Sequence, residues 1–313
     1  MKICVFGSKK STVVLLNHLF KKNIKVDTLV LLDPCKFKSI EISGHIDKIK
    51  EIAKRLDINV YHVKKYSLKS VNDTNFFRKN SFDLGLCTNW QRIIPKNILK
   101  CFKHGIFGWH GSGFKFPNGR GRSPINWSLR LGLNCIYHNC FKYGEIFDNG
   151  EIYETIKFKI KNNDYVDDLQ NKAINHICNS AEKLIKDIIS NKLKLYKQID
   201  YPFISFPSLN DKSGQIYTNS LSVNQARNII RSCSNPFPGA YVKLTNKNIK
   251  VRIWKADMLK RVSKKNKIGK GHIFFCKKEI LIGFYNGILK SKNYETYPKN
   301  FHKNTYPKKF KCD

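Results

Sequence analysis

The stretch KICVFGSKKSTVVLLNHLF, residues 2–20, carries two periodicities joined by a turn. Residues 2–7 are a short apolar run closed by Gly7, the pattern of a buried strand. Residues 11–21 change to apolar positions three and four apart behind a Ser/Thr start, which predicts a helix. Gly7, Ser8, Lys9 and Lys10 break the apolar run, so the segment reads as strand, turn and helix rather than as a secretory leader. The alternation continues outward: a strand over 26–33, an amphipathic helix over 45–56, a strand over 58–63, a helix over 70–80 and a strand over 82–88. Right-handed crossovers between such strands give a parallel sheet with helices on both faces. The expectation is an α/β fold built on a doubly wound, mostly parallel sheet. No GxGxxG follows the first strand, so nothing here points to a dinucleotide.

The remaining chain fits a second, different domain. A short helix follows Pro95, and then the strand GIFGWHG. A helix spans 123–132, strand-like runs span CIYHNCF and GEIYETIKFKI, and a long helix covers 165–191. Pro and Gly punctuate 192–215, and short alternating strands continue to about residue 287, the pattern of a small β-barrel. The expected division is a catalytic domain over 1–191, a linker over 192–215, a barrel over 216–290 and a loosely held basic tail over 291–313.

Composition narrows the function. A chain of 313 residues with 41% hydrophobic and 12% aromatic content has the makings of a packed core. No apolar run reaches the roughly 18–20 residues of a membrane span, so a soluble cytoplasmic protein with no membrane partner is expected. The ten cysteines are scattered and form no CxxC pair. Reduced thiols and no metal site follow. The formal charge is +35, and residues 201–313 carry 23 Lys/Arg against 5 Asp/Glu. Such a half suits a polyanion such as RNA. A lysine-rich composition inherited from an AT-rich genome gives the same numbers with no binding role.

The chemistry concentrates in GWHGSGFKFPNGRGRSPINW, residues 108–127. His110 ends a strand, where ligands of open α/β sheets bind. Gly108, Gly111 and Gly113 let backbone and ligand approach closely. Asp148, on another Gly-flanked turn, is the matching carboxylate: an Asp beside a His orients the imidazole and favours its protonated form. An Asp-Asn-Gly turn between two strands explains Asp148 equally well.

These features together resemble a known family. The start KICVFGSKKSTVVLLNHLF, the pattern His110, Ser112, Pro117, Arg120, Gly121, Pro124, and Asp148 ahead of a glycine are similar to the formyltransferases, and most to the methionyl-tRNA formyltransferase type. The segment from Phe206 to Val242 resembles the family's entry into its C-terminal OB-like barrel. The resemblance covers about residues 1–287 and implies a Rossmann-like catalytic domain. It implies that 10-formyltetrahydrofolate donates a formyl group to a primary amine, with His110 assisting proton transfer and Asp148 orienting His110 and a water. It places Gln91, Arg92 and Ile93 on one side of the donor and Glu145, Ile146 and Phe147 on the other.

One departure stands out. The family carries an asparagine two residues before the histidine, to polarise the formyl oxygen, and this chain has Gly108 there. Losing one oxyanion donor typically costs ~10²–10³ in rate. Trp109, Asn89 and Asn126 are the candidate replacements, with Ser112 as loop support. The favoured acceptor is methionyl-tRNA, with Arg227, Arg231, Lys243, Lys247, Lys250, Arg252 and Lys255 as backbone contacts. The alternative is a nucleotide-linked amino sugar, because residues 33–48 lack the basic, Gly-rich loop expected beside an acceptor stem. A non-catalytic RNA-binding relative is the third reading. The sequence leaves the oligomeric state open.

Overall fold

The computed structural model describes residues 1–33, 46–199, 202–245, 248–259, 268–276, 278–299, 301 and 308–313. In chain order the first elements are β1 (Ile3–Phe6), α1 (Lys10–Lys21), β2 (Thr28–Leu31), α2 (Ile46–Arg55), β3 (Asn59–His62), α3 (Val71–Asn80), β4 (Leu84–Cys87) and α4 (Lys96–Leu99). Next come β5 (Ile106–Ser112), β6 (Arg120–Gly121), α5 (Pro124–Arg130), β7 (Cys135–Lys142), β8 (Ile152–Lys159), α6 (Val166–Ile189) and β9 (Ser205–Phe206). The last are α7 (Val223–Cys233), β10 (Ala240–Lys243), β11 (Lys250–Met258), β12 (His272–Phe275), β13 (Ile280–Phe284), β14 (Gly287–Tyr297) and β15 (Lys308–Lys311). The chain divides into two compact units. The first holds Met1–Gly121, Tyr137–Phe158 and Asn171–Ser205; the second holds Arg122–Ile136, Lys159–Gln170 and Phe206–Asp313.

The first unit is a seven-stranded sheet of order β3-β2-β1-β4-β5-β7-β8. Its strands pair in parallel from β3 through β5, and β7 runs antiparallel to β5. The period-two alternation is visible in β1. Ile3 and Val5 face one core with α1, α2 and the later turns of α6, while Cys4 and Phe6 face the other with α3 and α4. Helices therefore cover both faces, as a doubly wound sheet requires. On α6, Ile174, Ile177, Cys178, Ala181, Leu184, Ile185 and Ile188 repeat at helical spacing and are buried against the sheet. Caps mark the helix starts: the Ser70 hydroxyl accepts the Asp73 N–H at 3.0 Å to open α3.

The second unit is a six-stranded antiparallel sheet of order β10-β11-β14-β13-β12-β15, with α7 packed on its core. Register shifts where β11 pairs with β14, around Lys255, bend it. The sheet then curls until its edges meet. Leu244 bridges Cys312, the Thr245 N–H donates to Lys311 at 3.0 Å, and the Asp313 N–H donates to Lys243 at 3.2 Å.

Two expectations are corrected here. The described parts of the expected tail include strands: 291–297 complete β14, and β15 pairs with β12 from His272↔Lys311 to Phe275↔Lys308, while 300 and 302–307 lie outside the described residues. The second unit also takes in residues 122–136 and 159–170, so no single cut of the sequence separates the units. Among the described residues no helix is long and apolar enough to cross a membrane, no group of three or more His, Cys, Asp or Glu could hold a metal, and nine cysteines are free.

Candidate active site

His110 lies on β5 two residues beyond the last pairing with β4, Cys87↔Gly108, at the carboxyl end of the parallel strands. Its ring is buried, at 8% exposure. The loop 113–119 folds back over it. The His110 Nε2–H donates to the Gly119 carbonyl at 2.7 Å, and the Gly119 N–H donates to Ile204 at 2.8 Å. Facing a carbonyl, Nε2 must carry a proton, so in the neutral ring Nδ1 is the free base. Nδ1 points at Asp148, 3.5 Å from Oδ2. That carboxylate also accepts the Gly121 N–H at 3.2 Å. Asp148 itself sits at φ +55°, a left-handed conformation that aspartate tolerates better than most residues. The Phe116 ring lies tilted beside His110, 5.2 Å between centroids. The arrangement is a histidine with one ring nitrogen tied down and the other aimed at a carboxylate, which suits proton transfer to and from a bound group.

The candidate supporting donors fare differently. Successive residues of β5 alternate in direction. Gly108, His110 and Ser112 share one face, and Trp109 packs into the opposite core, where its indole nitrogen is buried without a hydrogen-bond partner among the described residues. The Asn89 amide donates to the Ser11 hydroxyl at 2.7 Å. Asn126 belongs to the second unit, where its amide donates to the Ser232 carbonyl at 2.7 Å. Ser112 is fully buried; its hydroxyl accepts the Phe114 N–H at 3.2 Å and braces the loop.

Two residues beside His110 are absent from the sequence reading. Asn139, directly opposite His110 on β7, donates to the His110 carbonyl at 3.3 Å and accepts the Thr155 hydroxyl at 2.7 Å. Tyr143, one residue past β7, lays its ring over Gly108, so that a Cβ added there would fall within the phenol, on Cε1 and the hydroxyl oxygen. The Cys87 thiol is the polar neighbour that acts on its hydroxyl. Neither was legible without the β5–β7 register.

The start of α4 and the loop after β7 are joined by the Lys96–Glu145 ion pair at 2.6 Å. Ile93, Ile146 and Phe147 stand 52%, 59% and 49% exposed on the loops before α4 and after β7. The Gln91 N–H is held by the Tyr66 hydroxyl at 3.0 Å, and the Arg92 guanidinium lies 4.7 Å over the Tyr66 ring.

The barrel cations divide. Arg231 is buried and donates to the Asp164 and Lys161 carbonyls at 2.7 and 2.8 Å, so it is structural and unavailable to phosphate. Arg252 pairs with Asp211 at 2.6 Å, with Lys250 at 3.5 Å from the same carboxylate. Arg227 donates to the Asn162 carbonyl at 2.8 Å. Lys243 is half-buried and Lys255 exposed, and Lys247 lies outside the described residues.

A buried histidine facing a carboxylate at the carboxyl end of a doubly wound sheet suits a group-transfer enzyme. The comparisons narrow the class. Residues 1–179 match the formyl transferase family and residues 211–299 match the formyl transferase C-terminal domain, and the chain belongs to this family. It is 27% identical over 292 residues to the methionyl-tRNA formyltransferase of Clostridium tetani, covering 92% of this chain and 90% of that one. It is also 27% identical over 259 residues to the bifunctional polymyxin resistance protein ArnA of Wigglesworthia glossinidia brevipalpis, covering 82% of this chain but only 38% of that relative. The crystal structure of WlaRD, a sugar 3N-formyl transferase solved with dTDP and 5-N-formyl-THF, superposes with a TM-score of 0.65 at 17% identity, over 94% of this chain and 97% of that one. The protein is a formyltransferase whose donor is a formyl-tetrahydrofolate.

Proposed function

We propose that the enzyme moves the formyl group of 10-formyltetrahydrofolate to the α-amino group of methionyl-tRNA. His110 takes the proton that the attacking amine must lose, and Asp148 orients the ring and favours the imidazolium that forms. Ile93, Ile146 and Phe147 wall the flat ring of the donor, with the backbone of Gln91 and Arg92 on one side and that of Glu145 on the other. The observation that carries the catalytic reading is the tethered imidazole: Nε2 is fixed by Gly119, which leaves Nδ1 facing Asp148. For the acceptor, support comes from the barrel and its excess of cations together with the methionyl-tRNA formyltransferase matched across nine-tenths of both chains. The contacts proposed for the tRNA backbone are Lys243, Lys255 and Arg227, joined by Lys309 and Lys311 on the edge strand β15. One observation favours a nucleotide-linked amino sugar instead: WlaRD shares this fold over almost its entire length, so a barrel alone does not mark a tRNA enzyme.

His110→Ala is expected to lower kcat/KM for methionyl-tRNA by about 10²–10⁴-fold, and Asp148→Asn by a smaller factor, with donor binding retained. Tetrahydrofolate release followed spectroscopically reads both. Unchanged rates in either variant would remove that residue from the mechanism.

A further inference from the structure

We propose that Tyr143 is a catalytic residue of this enzyme: its phenol hydroxyl donates a hydrogen bond to the formyl oxygen as negative charge gathers on it. The inference rests on the reading of His110 and Asp148 as the reacting site. Formyl transfer needs such a donor. The amine lone pair forms the new N–C bond while the carbonyl π pair moves onto oxygen. The oxygen pair then restores C=O as the C–N10 bond breaks, and the proton the amine loses through His110 ends on N10. A formamide and tetrahydrofolate result. Between the two bond changes the oxygen carries a full charge, and a fixed neutral donor there is worth more than in water.

The geometry points to one side chain. Gly108 precedes His110 by two residues on the same face of β5, about 6.6 Å along the strand at the usual rise. It has no side chain of its own, and the space where one would begin is filled by the Tyr143 phenol. The ring is held there from three directions. The Tyr143 N–H donates to the Ile106 carbonyl at 2.7 Å, the Phe141 ring packs against it at 5.3 Å, and Asp148 lies close enough to act on it electrostatically. The other candidate side chains point elsewhere: Asn89 donates to Ser11, Asn139 to the His110 carbonyl and Asn126 to Ser232, while Trp109 faces the opposite core.

The neighbour that acts on the phenol is the Cys87 thiol, and Cys87 is the residue paired with Gly108 in the sheet. Sulfur accepts weakly, so a developing oxyanion competes for the proton with advantage. Burial, followed by the neighbouring Cys87 and Asp148, pushes the Tyr143 pKa well above its usual value, which keeps the donor protonated at any working pH. The Cys87 thiol is itself pushed up to about 11 by burial, with Tyr143 and the Trp90 backbone opposing. It stays neutral, and no thiolate locks the phenol in place.

The test pairs Tyr143→Phe with a donor analogue, 10-[¹³C]formyl-5,8-dideazafolate. The variant keeps the ring and its packing, so melting is expected to be unchanged. With methionyl-tRNA, kcat should fall by about 10²-fold with the donor KM within about twofold. The bound formyl ¹³C resonance should move upfield relative to wild type, since a hydrogen bond to the oxygen is lost. A wild-type kcat overturns the inference. So does a lower kcat with an unmoved resonance, because the hydroxyl then acts only through packing. Should wild type be inactive with methionyl-tRNA, the ¹³C arm alone decides. His110→Ala run in parallel separates the two failures: if it retains transfer, the site reading itself has failed, whatever Tyr143 does.

Discussion

Gly108 shows how much a single residue's meaning depends on its neighbour. By resemblance alone it is a defect, an oxyanion donor replaced by nothing. In the fold it is the clearance for Tyr143, whose phenol occupies the place of the missing side chain. A direct prediction separates the two views. Gly108→Asn, which restores the family's usual residue, should lower activity by an order of magnitude or more and lower the melting temperature, because Asn and Tyr143 cannot share the site. Overpacking of this kind typically costs about 1–3 kcal/mol. If Gly108→Asn is faster than wild type and melts no lower, Tyr143 yields easily and the glycine is the defect. The approach of His110 to Asp148 was legible from glycine context and the family resemblance. Tyr143 and Asn139 were not, because nothing local to a strand reveals what lies across from it.

At the scale of elements, period-two and period-3.6 patterns delivered the doubly wound sheet nearly strand for strand. The misses share a cause. In β14 the inward positions include Ser291 and Thr296, both buried and both polar, so hydropathy alone hides the strand. The Ser291 hydroxyl donates to the Lys255 carbonyl at 2.6 Å and accepts the Asn293 N–H at 3.1 Å, filling the bonds that the register shift leaves open. β15 turns Phe310 into the core, between the exposed Lys309 and Lys311.

Where β7 and β8 meet α6, the first unit buries a polar chain. His138 Nδ1 lies 2.6 Å from His176 Nδ1, His176 Nε2 lies 3.0 Å from Glu154, and Lys183 reaches the other Glu154 oxygen at 2.8 Å. Burial lowers the pKa of both histidines, for His138 helped by the His176 and His110 charges. Glu154 stays below its usual value although burial opposes it, held by Lys183 and His176. The sign for the histidines is fixed. Their stabilising contribution is fully present above the unfolded pKa near 6.5 and is lost as pH falls below it, because the unfolded chain then binds protons the folded one refuses. Stability should therefore fall between pH 6.5 and 5 by up to about 1.4 kcal/mol per pH unit per histidine. His138→Gln should flatten that slope in denaturant titrations at each pH; an unchanged slope would place the titrating groups elsewhere.

Across the whole molecule, formyl transfer rests on the family, and the proposed acceptor on charge and on relatives. The net charge alone over-reads: Arg231 is consumed inside the second unit, and Arg252 and Lys250 converge on Asp211. Composition could not separate these from exposed cations, because the distinction lies in which carbonyls and carboxylates the fold brings within reach. Residues 34–45, in the segment that spoke for a sugar acceptor, lie outside the described residues.

The most direct test of formyl transfer to methionyl-tRNA is a competition in one tube. Wild-type protein would receive 10-formyltetrahydrofolate with equal concentrations of methionyl-tRNA and a dTDP-linked 3-amino sugar, and formylated products would be counted by mass. Formyl-methionyl-tRNA in at least tenfold excess, lost in His110→Ala, is the expected result. Formylated sugar as the main product would contradict it and turn the basic barrel into a feature of composition.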